Sequence, residues 1–542
     1  MTAAGPVVLI VLDGWGIAPP GPGNAITQAG LTYFNQLTAA YPSTQLLASG
    51  QAVGLPSGED GNTEVGHINL GAGQIVFQDL PRINTAIADG SLFQNPALIA
   101  AVKHVKANHS TLHLLGLVGS GGVHANNEHL FALIKFAKIN NLEKLALHLI
   151  TDGRDSPPTS AQIYLDQVQT QLNQHGLGQI ATIIGRYFAM DRDHRWSRTE
   201  MAYRCLTEGV GRRAATAAEA VKTAYAAGCT DEFIPPTNLI DDDDQPVSLI
   251  KDNDAAIFYN FRVDRPRQLT KAFVLDNFEA EANRPVFDPY QDKYLDSHLP
   301  EKAAFQSPFK RQKRVQNLLF VTMTEYQKNL PVEVVMPPLS VAYPLSRVLS
   351  ETGYRQLKMA ETEKERFVTY YFNGLREQPF LGEDWLMVPS PKVATYDLVP
   401  EMSTLLLASK LIEKVKTGVY RFALVNFACP DMVAHTGNLE ATIKACRAAE
   451  AAVKSIVSTI ASLGGSVLIT ADHGNAEELI NLQTGEVDTE HSDNPVPLVV
   501  VSPRFIGQPR RLPPGILADV APTILNLMGL NPPTTMTGKS LI

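Results

Sequence analysis

The tightest constraint on the fold is a set of short apolar runs, each ending beside a residue able to do chemistry. Residues 7–12 run into Asp13-Gly14, 112–118 into a glycine-rich loop ending at His124, and 145–150 into Thr151-Asp152-Gly153-Arg154-Asp155. Residues 180–184 lead to Gly185-Arg186 and on to Arg192, 255–261 to Arg262 and Arg265, 421–427 to Asp431, and 466–470 to Asp472-His473. His491 comes shortly before the run at 496–501. Unbroken apolar runs of this length suit parallel strands buried on both faces. Helical patterns separate them, as at 439–463, where Ile443, Cys446, Ala449, Val453, Ile456, Val457 and Ile460 mark a core-facing stripe. The fold class is therefore α/β. In open sheets of this class ligands bind beyond the carboxyl ends of strands, where these polar residues stand.

At 542 residues the chain exceeds one typical domain. The pattern of the first run resumes at Leu318, which predicts a discontinuous domain, residues 1–77 with 316–542, interrupted by an inserted α/β domain, residues 78–315. One helix is expected from about Ile26 to Ala40. Residues 275–315 read as an irregular surface excursion, with Phe287, Tyr290, Tyr294 and Phe305 as packing aromatics. The acidic run 241–244 reads as a solvated turn, because calcium-loop spacing and its glycine are missing.

Composition narrows the function classes. Hydrophobic content of 44%, charged content of 19%, a net charge of -9 and a pI near 5.8 describe a soluble globular protein and argue against a general nucleic-acid binder. Cys205, Cys229, Cys429 and Cys446 are dispersed with no CxxC pair, so free thiols are expected. The run at 7–12 is too short to span a bilayer, and no basic flank or cleavage site accompanies it. The expectation is a cytoplasmic monomer with a small-molecule substrate and neither nucleic acid nor membrane as partner.

Residues 61–73, GNTEVGHINLGAG, bracket one hydroxyl residue, Thr63, with glycines just before a short helical pattern. Gly61 would permit a tight turn, and Asn62 and Thr63 are good capping types. A hydroxyl at a helix N-terminus faces free backbone N–H groups that favour a phosphoryl group. Asp431 and His435 are four residues apart, so on a helix they share a face and can bind one ion. With Asp13, Asp472, His473 and His491 they form a set of carboxylates and imidazoles large enough for two ions, of a kind that suits Zn or Mn. Such ions would activate a coordinated hydroxyl and clamp phosphoryl oxygens. Arginines at or just after strand ends supply bidentate partners for phosphate and carboxylate. Asp155 could serve as acid or base, or simply as a salt-bridge or cap residue.

Together these stretches resemble the cofactor-independent phosphoglycerate mutases of the alkaline phosphatase superfamily. The resemblance rests on LDGWG at 12–16, the stretch at 61–73, TDGRDSPP at 151–158, GRYFAMDRD at 185–193, FYNFRVDR at 258–265, AETEK at 360–364, CPDMVAHTG at 429–437, TADHGNAE at 470–477 and HSDNPVP at 491–497. It implies an alkaline phosphatase-like metal domain with an inserted substrate domain, and an isomerase interconverting 3-phosphoglycerate and 2-phosphoglycerate through a phosphoenzyme. It also implies two Mn ions, with Zn, Co or Mg as alternatives. One ion would be held by Asp431, His435 and His491, and the other by Asp13, Asp472, His473 and the oxygen of Thr63. His124, Arg154, Asp155, Arg186, Arg192, Arg262, Arg265 and Lys364 would bind substrate, with Thr63, Asp155 and Lys364 as the catalytic groups. The usual family nucleophile is Ser, and here it is Thr63. A metal-dependent phosphohydrolase or a phosphopentomutase-like enzyme is the alternative reading.

Overall fold

A computed structural model of the chain describes residues 5–284, 306–481 and 484–542. It forms two compact units, Met1–Pro81 with Leu339–Ile542, and Arg82–Pro338. In chain order the strands are β1 (Val7–Leu12), β2 (Ser43–Leu47), β3 (Leu112–Val118), β4 (Leu145–Thr151), β5 (Gln179–Gly185), β6 (Arg212–Ala214), β7 (Thr237–Leu239) and β8 (Ala255–Phe258). They continue as β9 (Leu319–Thr324), β10 (Glu333–Met336), β11 (Gln356–Glu361), β12 (Glu383–Val388), β13 (Phe422–Phe427), β14 (Ser466–Thr470), β15 (Val496–Val501) and β16 (Gly515–Ile516).

The first unit is organised on an eight-stranded sheet ordered β12-β11-β13-β1-β14-β15-β2-β16. Every residue of β1, β13 and β14 is buried, as expected of strands covered on both faces. β1 runs parallel to β13 and β14, whereas β15 runs antiparallel to both β14 and β2. That single reversal has a chemical result. The start of β15 and the end of β2 lie on the same sheet edge as the ends of β1, β13 and β14. His491, which precedes β15, and the loop from β2 to Thr63 are therefore delivered to one edge with Asp13, Asp431, Asp472 and His473.

The second unit carries another eight-stranded sheet, ordered β10-β9-β8-β3-β4-β5-β7-β6. β8, β3, β4 and β5 are parallel neighbours, so the loops to Arg262, His124, Asp155 and Arg186 leave one edge together. The chain does not return to the first unit at residue 316. β9 pairs with β8 and β10 with β9, which keeps the chain in the second sheet until Pro338. A buried parallel strand reads alike in either sheet, so its apolar pattern could not assign it. The helix expected over residues 26–40 is two helices, Ala25–Gln28 and Thr32–Ala40, separated at Gly30, whose φ of +65° is left-handed. Phe287, Tyr290, Tyr294 and Phe305 lie outside the described residues. Of that segment Phe309 packs against Tyr203 and Phe278, at 5.7 and 5.0 Å between ring centroids.

Helix Thr63–Ala72 is buried along nearly its whole length, and its N-cap is Asn62, whose side chain accepts from Val65 N at 3.0 Å. Two glycines permit this depth. A Cβ on Gly66 would lie 2.6 Å from Asp472 Cβ, and one on Gly71 would lie 2.0 Å from the carbonyl oxygen of Phe372. Phe372 follows a π-helical turn, Phe367–Tyr371, so at Gly71 the helix meets backbone that cannot rotate away. Gly71→Ala should therefore overpack this contact and destabilise the first unit by ~1–3 kcal/mol. Thermal or urea unfolding measures it, and unchanged stability would mean that the helix has slack at this contact.

Candidate active site

Three histidines of the first unit share one arrangement. His435 Nδ1 lies 2.7 Å from the Thr489 carbonyl, His491 Nδ1 2.9 Å from that of Gly61, and His473 Nδ1 3.2 Å from that of Gly474. A ring nitrogen beside a carbonyl must carry the proton, which leaves each neutral Nε2 as a lone-pair donor, the state in which histidine binds metal. The Nε2 atoms of His435 and His491 face each other at 3.2 Å, and they lie 3.3 and 3.5 Å from Asp431 Oδ1. Two lone pairs and a carboxylate oxygen held that close require a cation or a proton among them. Ligand atoms of Asp431, His435 and His491 lie within 4.8 Å of one another, as do those of Asp13, Asp431 and His473 and those of Asp13, His67 and Asp472. Asp472 Oδ2 is buried, with His67 Nδ1 at 3.2 Å and His473 Nε2 at 3.5 Å. The residues present thus fit a metal centre.

The helical spacing of Asp431 and His435 is realised on helix Cys429–Ala434, with His435 as its C-cap. Thr63 is the first residue of its helix and is buried. Its Oγ1 is 2.9 Å from His473 Nε2 and 3.1 Å from Lys364 Nζ. Lys364 reaches in from the turn after β11 and donates to Asp13 Oδ1 and Asp431 Oδ2, both at 2.7 Å. Burial disfavours its charge, but Asp13, Asp431 and Asp472 outweigh burial and raise its pKa. Gly61 serves a different need from the one its sequence suggested. Its φ is not positive; instead a Cβ there would lie 2.2 Å from the Ala48 carbonyl oxygen.

In the second unit, buried Arg186 is gripped by two carboxylates, with Nη1 2.5 Å from Asp152 Oδ1 and 2.5 Å from Asp155 Oδ2. Its Nη2 lies 3.1 Å from His124 Nε2, which must accept. Burial and Arg186 push the His124 pKa down to about 4, so the ring is neutral. Burial pushes Asp155 up, but Arg186 outweighs it and holds the carboxyl below its usual value. Arg192 donates to Asp264 Oδ2 at 2.6 Å, and Arg262 Nε lies 3.3 Å from Asp264 Oδ1. Arg154 is exposed, 3.7 Å from Glu232. Arg265 donates to the Met190 carbonyl at 3.3 Å, while its buried Nε has no partner. Burial, then Arg186 and Arg192, lower its pKa. Like charges are crowded here, and an anion would relieve them.

Each residue selected from the sequence falls in one of these two clusters. Several partners were missed. His67 Nδ1 lies 3.0 Å from the Thr63 carbonyl and 3.2 Å from Asp472 Oδ2. Asn426 donates to Asp13 Oδ2 at 2.6 Å, and Asn475 to Asp431 Oδ1 at 2.8 Å. The signal for His67 was its place one helical turn after Thr63; Asp152 and Asp264 stood beside selected residues in the same motifs. The asparagines carry no comparable signal.

A family model described as BPG-independent PGAM N-terminus matches residues 83–328, which fall within the second unit. A relative from Chloroflexus aggregans, a 2,3-bisphosphoglycerate-independent phosphoglycerate mutase, is 48% identical over all of this chain and 99% of its own length. The chain belongs to that family of mutases. A further member, from Moorella thermoacetica, is 45% identical over 99% of this chain and 98% of its own. The solved structure of the Leishmania mexicana phosphoglycerate mutase at low cobalt concentration aligns with a TM-score of 0.59 at 28% identity over 99% of this chain and 97% of that one. The family is one of isomerases, and the two sheets and the Asp and His cluster are this chain's version of its fold. Among the described residues no helix is long and apolar enough to cross a membrane.

The histidine environment sets the pH behaviour of such a metal centre. Without a bound ion, burial lowers the His473 pKa, but Asp472 and Asp13 outweigh it and raise it to about 10; His435 is raised as well, burial being outweighed by Asp431. Burial opposes the charge on Asp431 and Asp472 too, yet Lys364 for the one and His473 for the other hold them well below the carboxylate range. Protons thus occupy His473 at neutral pH and must leave when an ion binds, so affinity should fall as pH falls below about 10. Titration calorimetry with Mn2+ in two buffers of different ionisation enthalpy should show release of about one proton or more per ion near pH 7.5. Heats independent of the buffer would contradict this.

Proposed function

We propose that the chain interconverts 3-phosphoglycerate and 2-phosphoglycerate through a phosphothreonine on Thr63. The observation that carries this is the placement of Thr63 Oγ1 between His473 Nε2 and Lys364 Nζ, at the point where the carboxylates and imidazoles of the first unit converge. Asp431, His435 and His491 would hold one divalent cation, and Asp13, Asp472, His473 and Thr63 Oγ1 the other. Two Mn2+ ions, with Zn2+, Co2+ or Mg2+ as substitutes, would supply Lewis acidity, lowering the pKa of a hydroxyl and neutralising phosphoryl oxygens.

The chain's own groups do the rest. Thr63 Oγ1, entering as the deprotonated oxygen, attacks the phosphorus and the bond from phosphorus to the C3 oxygen breaks; that oxygen takes the proton that Asp155 removes from the C2 hydroxyl. Lys364 offsets the negative charge on the phosphoryl oxygens. The C2 oxygen then attacks the phosphothreonine, the bond from phosphorus to Oγ1 breaks, and Thr63 is restored as the deprotonated oxygen with which it began. Asp155, a carboxylate held by Arg186, takes the proton from one hydroxyl and returns it to the other. Arg154, Arg186, Arg192, Arg262 and Arg265, with His124, bind the carboxylate and phosphoryl oxygens of the glycerate. The substrate supplies its own phosphoryl group, so no added bisphosphoglycerate is needed. The net charge of -9 and the free cysteines agree with a small-molecule enzyme of the cytoplasm, and we take it to work as a monomer.

Two experiments test this reading. Thr63→Ala should reduce turnover by a thousandfold or more while leaving fold and metal content intact, on the order of the loss seen when a covalent nucleophile is removed. Thr63→Ser keeps the attacking oxygen and should remain active. Near-normal rates for Thr63→Ala would reassign the nucleophile. In the second, Arg192→Ala should lower mutase activity ~30-fold or more, the scale of one lost charge-assisted contact. Glycerate should then escape more often, and water would take the phosphoryl group instead. Inorganic phosphate and 2-phosphoglycerate, quantified in one reaction, should show a raised ratio; an unchanged ratio would sink the retention role of Arg192.

A further inference from the structure

A polar chain runs through the interior of the second sheet and takes no part in the chemistry above. It starts at Asp254, just before β8, and passes through His113 of β3 and His148 of β4 to Thr182 of β5. These are four neighbouring strands, and all four side chains are buried. His113 Nε2 lies 3.1 Å from Asp254 Oδ2, His113 Nδ1 2.9 Å from His148 Nε2, and His148 Nδ1 3.0 Å from Thr182 Oγ1. The Asp254 carboxylate also accepts from the backbone N–H groups of Thr111, at 2.9 Å, and Lys251, at 2.7 Å.

The Asp254 carboxylate takes the proton of His113 Nε2, and His113 Nδ1 and His148 Nε2 share the next hydrogen bond. Burial and then His113 keep the His148 pKa far below its usual value, so His148 offers one donor and one acceptor. The Thr182 hydroxyl, which can donate or accept, completes the chain at His148 Nδ1. Each link orients the next, so the hydroxyl at the far end is a specific requirement.

That hydroxyl stands at an irregularity. β4 and β5 pair Ala146↔Gln179 and Leu147↔Ile180, then His148↔Thr182, so Ala181 has no partner on β4. Without this bulge His148 would face Ala181, which has no hydroxyl. Thr182 would pair with Leu149 and turn to the opposite face. Residues further along β5 would move with it, and β5 ends at Gly185, immediately before Arg186. Arg186 is the residue gripped by Asp152 and Asp155 at the ends of their own strand's loop.

We propose that the Thr182–His148–His113–Asp254 chain selects the bulged register of β5, and that Thr182 is thereby a positioning residue for Arg186. This rests on the proposed role of Arg186 in substrate binding, so the test reads register and binding separately. Thr182→Val keeps the branched shape and removes the hydroxyl; Thr182→Ser keeps the hydroxyl. In Thr182→Val the backbone amides of 183–186 should exchange with deuterium roughly tenfold faster, and KM for 3-phosphoglycerate should rise roughly tenfold with kcat within about threefold, as expected when a binding group is misplaced. Thr182→Ser should match the unmodified protein in both readouts. Unchanged exchange in Thr182→Val, or a Thr182→Ser variant that behaves like Thr182→Val, overturns the register claim; faster exchange with unchanged KM overturns the positioning claim. An Arg186→Ala control with unaltered KM would remove Arg186 from substrate binding, while the exchange comparison still decides the register. Should Thr182→Val fail to accumulate, Thr182→Cys, a weaker donor of similar size, must show both shifts in smaller measure, and values unchanged from those of the unmodified protein overturn the proposal.

Discussion

The first unit depends on mutual repulsion that the fold refuses to relax. Asp13, Asp431 and Asp472 are buried, with Asp13 within a few ångströms of each of the other two, where isolated charges are costly. Lys364 compensates two of them directly, and Nε2 of His435 and His491 faces Asp431 while that of His473 faces Asp13 and Asp472. Backbone carbonyls fix those rings with Nε2 facing the carboxylates, which without an ion draw a proton onto His473 and raise the pKa of His435. Such a site is held together from outside, by strands packed on both faces, and is complete only with cations. The antiparallel placement of β15 belongs to the same logic. It lets His491 join residues that come from the opposite ends of their strands.

The Asp and His residues were legible in the sequence because strand ends are legible. An apolar run stops, a chemically active residue follows, and parallel packing sends all such ends to one edge. Arg186, Arg262 and His124 were legible on the same ground. The reading failed where pattern carries no address. β9 and β10 are apolar enough for either sheet, and only pairing with β8 assigns them. Gly30 breaks a helix that its neighbours would have continued. Asn426 acts through what it touches across the fold, Asp13 and His67, which no spacing announces. Gly61 was chosen correctly for the wrong reason, since close approach to Ala48 rather than backbone sign requires it.

Thr63 stands where the resemblance to the mutases leads one to expect serine. Its first-turn position is fully enclosed, and the branched side chain has fewer rotamers to choose from than serine would. In that setting Oγ1 lies within hydrogen-bond distance of both His473 and Lys364. The two units thus use a common device for different ends. A β-branched hydroxyl residue, Thr63 in one and Thr182 in the other, presents one oxygen to a histidine whose other nitrogen is already committed.

The discontinuity of the first unit also sets an order of events at the ribosome. β1 lies at the centre of its sheet, yet its neighbours are β13 and β14, so Val7 pairs with Phe422 and Ser466. The first strand to be synthesised therefore waits, apolar along its whole length, until nearly the last strands emerge. The second unit is contiguous from Arg82 to Pro338 and meets no such delay. It can reach its native sheet while the nascent β1 is still without a partner, and in that interval β1 is the segment with most need of a chaperone.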